Sequence, residues 1–268
     1  MATVRHPETA RAYHELAREN VLPLHVRLQY HATLGVDDPP APLGAARALG
    51  LVSGAGSDSL RLDSLGIDTS GSEQSALTAF VEAATEAGLR ISARADDGAA
   101  LDRLLAALDD AAPEPHIRYD EPLSDGQLEA IATFGATMIG NPGRLGESGT
   151  PARADGPGSA AAGLPFGRLA AAGIPFAFGS SGFRLDPLRA IERATSSDPD
   201  SRLAVTEALE AVTGDNATSG ASGPEVGSLA VGSPAGLVVL SDSPWETPIT
   251  ELSVEMTVVD GRIRYESG

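Results

Sequence analysis

From residue 60 to residue 195 one alternation governs the chain. A short run of strand character is followed by a stretch whose apolar residues recur every third or fourth position, and then the pattern repeats. Leu60-Arg-Leu-Asp-Ser-Leu-Gly-Ile-Asp68 alternates as a strand does and breaks at Thr69-Ser-Gly71. Leu77, Phe80, Val81 and Ala84 then share a helical face, and Gly88 stands where such a helix would close. Residues 89–93 read as a strand, and Leu101, Leu104, Leu105 and Leu108 as a second amphipathic helix. His116-Ile-Arg-Tyr-Asp120 is a short strand, and Ser124 is placed to cap a helix carrying Leu128, Ile131 and Phe134. Residues 136–140 form the next strand, ending at Asn141-Pro142. The strand at 174–178 and the helix at 187–195, behind Asp186-Pro187, complete the series. Strands that take turns with helices pack as a parallel sheet or barrel, because each helix returns the chain to the same end.

The flanks follow other patterns. Residues 7–19 read as a helix with Pro7 in its first turn and Tyr13, Leu16 and Ala17 on one face. Residues 22–30 read as a strand, with Leu24, Val26 and Leu28 alternating against His25, Arg27 and Gln29. Residues 35–58 are rich in Gly, Pro and Ala, with a short helix expected at 43–49, and 143–163 read as a surface loop. Thr206 is expected to cap a helix over 207–212. Residues 227–240 and 256–265 read as strands and turns, with Asp260-Gly261 as a hairpin signal. A small β appendage should therefore close the chain.

Charge narrows the partners. Against 37 Asp and Glu stand 19 basic residues, all of them Arg, for a net charge of −18. Nucleic acid and anionic membrane would both be repelled. A GC-rich genome would favour Arg over Lys, but the acid excess fits a high-salt cytoplasm better, where carboxylates hold solvation and salt screens their repulsion. The absence of Cys excludes disulfides, thiolate nucleophiles and Cys-bound zinc. No apolar run reaches the ~20 residues that span a bilayer, and the first 18 residues carry no signal-peptide core. A cytoplasmic protein is expected.

The C-terminal third carries a family signature. Residues 164–178 lead a short helix into an apolar strand that ends in Gly179-Ser180-Ser181. Leu203-Ala-Val-Thr-Glu-Ala-Leu209 follows, with Thr213 behind it, then Gly227-Ser-Leu and Leu237-Val-Val-Leu240, where Gly236 stands in the place of an Asp. Val259-Asp-Gly-Arg-Ile-Arg-Tyr265 closes the chain. Residues 165–265 thus resemble the amidohydrolase superfamily, specifically amidohydrolase family 3, while 1–142 match mainly in strand order and spacing. The resemblance implies a barrel whose mouth holds one or two divalent ions and whose metal-activated water attacks a C–N bond. The implied ligands are His-x-His on the first strand, often a carboxylated Lys on the fourth, His on the fifth and sixth, and Asp on the eighth. On that pattern the chain begins near the helix before the third strand. The expected fold is α/β: an incomplete (β/α) TIM-like barrel of about six strands over 1–215, with a small C-terminal β element over 216–268.

The same comparison finds the ligands replaced. Gly66 falls where the Lys would lie, and Ser92 where the fifth-strand His would. Arg118 and Tyr119 stand for the acid and imidazole of the sixth strand, and Ser181 for the Asp of the eighth. A slip of one residue restores no His, because the five histidines are His6, His14, His25, His31 and His116. His25 and His31 lie too far apart along a strand to share an ion, and His116 should face the closed end. The candidate mouth pocket is therefore Asp68, Ser92, Arg94, Asp96, Arg118, Tyr119, Asp120 and Ser181, with no metal ligand assigned. Asp68, Asp96, Asp97 and Asp120 lie at or just after strand ends, where carboxylates can hold Mg²⁺ or Ca²⁺ or move protons. In a chain with 37 acids, chance placement accounts for them more simply. Arg94 and Arg118 would neutralise these acids or bind an anion. Ser92, Ser180 and Ser181 lack a His base and a Gly-x-Ser-x-Gly elbow. Gly179-Ser-Ser-Gly182 is a weak phosphate motif, and no dinucleotide or Walker fingerprint occurs.

The expectation is an amidohydrolase-like protein, catalytically degenerate and without cofactor, that binds a small molecule. A divalent metal such as zinc belongs only to the alternative, an active hydrolase with relocated carboxylate ligands or one completed by a partner chain. A third possibility is a non-catalytic assembly protein. Open strand edges call for a homodimer or a partner chain to cover them.

Overall fold

The computed structural model describes residues 2–22, 24–31, 56–57, 59–108, 114–142, 164–180, 186–196, 199, 202–214 and 226–268. The helix expected at 43–49, the loop at 143–163 and Ser181 lie outside the described residues. By compactness the chain divides into two units. The first comprises Met1–Tyr119 and Ser124–Met138, and the second Asp120–Leu123 and Ile139–Gly268.

The first unit runs β1 (Ala2–Val4), α1 (Pro7–Arg18), β2 (Val26–His31), β3 (Leu60–Asp68), α2 (Gln74–Glu86), β4 (Ile91–Arg94), α3 (Gly98–Ala107), β5 (His116–Arg118), α4 (Asp125–Thr133) and the start of β6 (Thr137–Gly140). Neighbours in sequence are neighbours in the sheet, and β1 through β5 pair in parallel. With β7 (Phe176–Phe178) at the far end, the sheet has seven strands in chain order. This is the order of an incomplete (β/α) barrel.

Seven strands replace the expected six. The extra one is β1, whose Ala2, Thr3 and Val4 pair with Leu28, Gln29 and Tyr30. Three residues show no period, so only the neighbouring strand reveals it. The strand expected at 22–30 also shifts toward the C-terminus and takes in His31.

Helix faces match their periodicity. Leu77, Phe80, Val81 and Ala84 of α2 and Leu101 and Leu104 of α3 are fully buried, as are Ile131 of α4 and Ile117 of β5. Each large side chain so buried contributes about 1.5–3 kcal/mol of transfer free energy. The helix ends follow local chemistry. Gly88 adopts φ +65° beyond α2, and the next N–H, that of Leu89, donates to the Ala84 carbonyl. Asp97 caps α3, accepting the Ala100 N–H at 2.7 Å. Ser124 and Gln127 form a reciprocal capping box on α4.

The second unit holds the end of β6, α5 (Phe166–Ala171), β7, α6 (Pro187–Ser196) and α7 (Val205–Val212). It ends in an antiparallel sheet of β8 (Leu237–Leu240), β9 (Val254–Val259) and β10 (Arg262–Glu266). Phe166, Phe176 and Phe178 pack together with ring centroids 5.0–6.5 Å apart. Asp260 and Gly261, at φ 51° and 71°, turn β9 into β10, the geometry a two-residue hairpin requires. Thr206 does not cap α7. The helix starts behind Ala204, whose N–H donates to the Glu207 carboxylate at 2.7 Å, and the Thr206 hydroxyl accepts from Trp245 Nε1 at 3.1 Å. Among the described residues, no helix is long and apolar enough to cross a membrane.

Candidate functional site

Register places the side chains. Partners across parallel strands point to the same face, and alternate residues along a strand share it. Ile67, Ala93 and Ile117 are register partners, all at most 1% exposed. The opposite face carries two polar rows. One is His31, Gly66, Ser92 and His116; the other, one step nearer the strand ends, is Asp68, Arg94 and Arg118.

The outer row is a small charge network. Arg94 Nε donates to Asp96 Oδ1 at 2.8 Å, and Asp96 Oδ2 accepts from the Ser70 hydroxyl at 2.9 Å. The Ser70 N–H in turn donates to Asp68 Oδ1 at 3.0 Å. The Arg94 and Asp96 side chains are 58% and 33% exposed, so solvent screens their pairing. His31, on β2 at the level of the inner row, lies in the field of this network. Burial lowers its pKa first, the positive field of Arg5 adds to that, Asp68 opposes, and Arg118 and Arg94 lower it further. Its imidazole is thus neutral at pH 7 and lies in the positive field of arginines from three segments. Sequence reasoning left His31 outside the site because it lies too far along the strand from His25 to share an ion with it.

The inner row is filled from β2. Gln29 is 2% exposed; its Oε1 accepts from the Thr3 hydroxyl at 3.0 Å, and its Nε2 donates to the Ser92 carbonyl at 3.3 Å. A Cβ at residue 66 would fall 2.3 Å from Gln29 Nε2 and 2.8 Å from its Cδ. Gly66 is therefore the space through which Gln29 crosses. Nothing local to either residue announces this. The Ser92 hydroxyl is buried, without a hydrogen-bond partner among the described residues.

Toward the strand starts lies a buried charge cluster. The β2–β3 register shifts between Leu28 and Gln29, so that Leu62 and Ser64 take successive partners and Asp63 is the extra residue. Asp63 is fully buried, with Arg90 at 3.5 Å and His116 Nδ1 at 3.8 Å. Burial raises the Asp63 pKa, against hydrogen bonding by Ser64 and the fields of Arg90 and Arg27. Burial also pushes His116 down to about 3, helped by Arg90 and Arg118. The Asp63 carboxylate is close enough to attract a charged His116, but desolvation outweighs it.

Of the eight candidate residues, the structure brings Asp68, Arg94, Asp96 and Arg118 to one row of strand ends, with Ser92 beneath. Tyr119 is 3% exposed and turns to the other side, its hydroxyl 3.8 Å from where a Cβ on Gly98 would lie. Asp120 belongs to the second unit, where its Oδ1 accepts the Asn141 N–H at 2.9 Å; Asn141 Nδ2 donates to the Ser180 carbonyl at 3.0 Å. Asp97 is occupied as the cap of α3.

The sequence matches the model of an amidohydrolase family over residues 2–265. No curated protein matches it. Among solved structures, the chain is similar to an uncharacterized metal-dependent hydrolase from Pyrococcus furiosus, at TM-score 0.68 and 18% identity, covering 87% of this chain and 54% of that one. It is also similar to 5-methylcytosine deaminase from Klebsiella pneumoniae, at TM-score 0.69 and 16% identity, covering 100% of this chain and 70% of that one. Guanine deaminase from C. acetobutylicum shares the fold at TM-score 0.61 and 12% identity, over 96% of this chain and 76% of the other. The chain thus spans little more than half the length of the Pyrococcus hydrolase.

Proposed function

The chain belongs to the amidohydrolase family, and we propose that within it this protein is a degenerate member that binds a small molecule at its strand ends rather than hydrolysing a C–N bond. The observation that carries this reading is Gln29. Where the family's pattern would put a carboxylated Lys, residue 66 has no side chain, and the Gln29 amide occupies the space.

The family implies a divalent ion held by imidazole, carboxylate and carbamate donors. The residues at these strand ends do not fit it. Ser92 offers a buried hydroxyl in place of an imidazole, and Arg118 brings a positive charge that would repel the ion. Asp68 and Asp96 are engaged with Ser70, and Asp96 also with Arg94. Among the described residues, no three His, Cys, Asp or Glu side chains group as a metal site needs. This donor set holds no Lewis acid, so water would stay far too weak an acid to ionise near neutral pH and attack an amide.

Elemental analysis of protein purified without chelator or affinity nickel tests this, paired with hydrolysis assays on amides and cyclic amides. The expected result is substoichiometric metal and no turnover. Near-stoichiometric zinc, manganese or iron with turnover would overturn it, and would point to relocated carboxylates such as Asp68 and Asp96 or to ligands from a partner chain.

A further inference from the structure

We propose that the strand ends of the first unit bind a small oxyanion, the carboxylate or phosphate group of a small molecule, between Arg5, Arg94 and Arg118 and above the Ser92 hydroxyl. The inference deepens the binding role proposed above and rests on it, since a metal ion at the same strand ends would reverse the charge the site must accept.

Three observations converge. First, the local charge runs against the chain. The whole protein carries −18, yet these strand ends carry Arg5, Arg94 and Arg118, whose positive fields all act on His31, beside Asp68 and Asp96. Register puts Arg94 and Arg118 on adjoining strands at the same level, with Asp68 beside them. Arg5 follows Val4, the partner of Tyr30, and so lies level with His31, whose pKa its positive field lowers. Second, that imidazole is half-buried and its own pKa is depressed, so it adds no charge at pH 7 and offers an anion a neutral ring that can donate one hydrogen bond. Third, Ser92 Oγ is buried with no partner among the described residues, two positions before Arg94 and on the same face. A buried hydroxyl left without a partner is costly; an oxyanion above it would accept its proton. Guanidinium forks, a hydroxyl and a neutral imidazole are the donors that carboxylate and phosphate oxygens take.

A small ligand, rather than a nucleic-acid backbone, follows from the charge on the remainder of the surface. The Arg94–Asp96 contact does not remove the site, because a guanidinium has five N–H donors and only Nε is used in it.

The test is calorimetric titration of the full chain with inorganic phosphate and, separately, with succinate, at ionic strength held constant with KCl. The same preparation is analysed for metal and for amide hydrolysis, so that a failure of the degenerate reading shows as metal and turnover. A failure of the anion site shows instead as missing saturation. Expected is saturable one-to-one binding of at least one anion. It should weaken roughly tenfold or more in Arg94→Gln, which alters an exposed side chain and spares the fold, and in Arg5→Gln. Ser92→Ala should weaken it several-fold, and Arg11→Gln, an exposed position within α1 of the same unit, should leave it unchanged. No saturable binding of either anion overturns the proposal. So does binding that Arg94→Gln, Arg5→Gln and Ser92→Ala all leave intact.

Discussion

At the scale of single residues, Gly66 and Gln29 define the polar face together. Gly66→Ala sets a Cβ against the Gln29 amide and its Cδ, and the amide cannot retreat without giving up Thr3 and the Ser92 carbonyl. Overpacking of this kind costs about 1–3 kcal/mol. In urea denaturation, Gly66→Ala should lower stability by that amount, and the Gln29→Ala/Gly66→Ala double variant should lose less than the two single losses combined. Strict additivity would show that the two side chains do not compete for one space. Gly66 was visible in the sequence as a missing ligand. Gln29, 37 positions earlier, became visible only through the register of β2 on β3. The buried pair His116 and Asp63 makes a second prediction. His116 titrates at about 3 in the fold but near ~6.5 when unfolded. Between those values the unfolded chain holds a proton that the folded chain does not. Stability should therefore fall as pH drops from about 6.5 toward 3, by at most about 1.4 kcal/mol per pH unit from this group. Asp63, raised by burial, works with the opposite sign and only at and above its ordinary range: its contribution is present at low pH and lost as pH rises through its folded value. The fields of Arg90 and Arg27 act on Asp63, and those of Arg90 and Arg118 on His116. His116→Gln should flatten the slope between pH 6 and 4 in chemical denaturation, roughly the upper part of that window; an unchanged slope would place the proton uptake elsewhere.

At the scale of elements, what was legible in the sequence was local. Ser124, Gly88 and the Asp260-Gly261 turn act through bonds to residues a few positions away, and each sits where its chemistry requires; Asp97, read in the sequence as a mouth carboxylate, is instead the cap of α3. Ser124→Ala removes one side of the capping box and should cost about 1 kcal/mol, read as a drop in the denaturation midpoint at constant m-value. The loss should leave anion binding untouched, because α4 contributes nothing to the polar rows. The elements that sequence misplaced depend at least in part on distant partners. β1 has only three residues and is a strand because β2 lies beside it. Helix α7 begins behind Ala204 because Glu207 reaches back to that N–H, while Trp245 draws the Thr206 hydroxyl away from a capping role. Tyr119 was assigned to the mouth because it stands where the family resemblance puts the sixth-strand imidazole, but strand alternation sends it to the face opposite Arg118.

At the scale of the whole molecule, the governing quantity is charge. With 37 acids against 19 arginines and a pI near 4.5, the folded chain repels itself at neutral pH, and unfolding relieves that repulsion by spreading the charges apart. Salt shortens the range of the repulsion: the Debye length is roughly 10 Å at 0.1 M and roughly 3 Å at 1 M. The denaturation midpoint should therefore rise steeply in KCl up to about 1 M. If screening is the whole effect, it should level off there, and if the surface carboxylates depend on hydrated cations, as a high-salt interior would favour, it should keep rising. A midpoint indifferent to KCl would mean that the acids are spaced widely enough not to interact. The same salt series separates the surface from the strand ends. Chloride screens Arg5, Arg94 and Arg118 as well, so phosphate or succinate affinity should fall over the range in which stability rises. Opposite salt responses in one protein are what a positive site set in a negative shell requires.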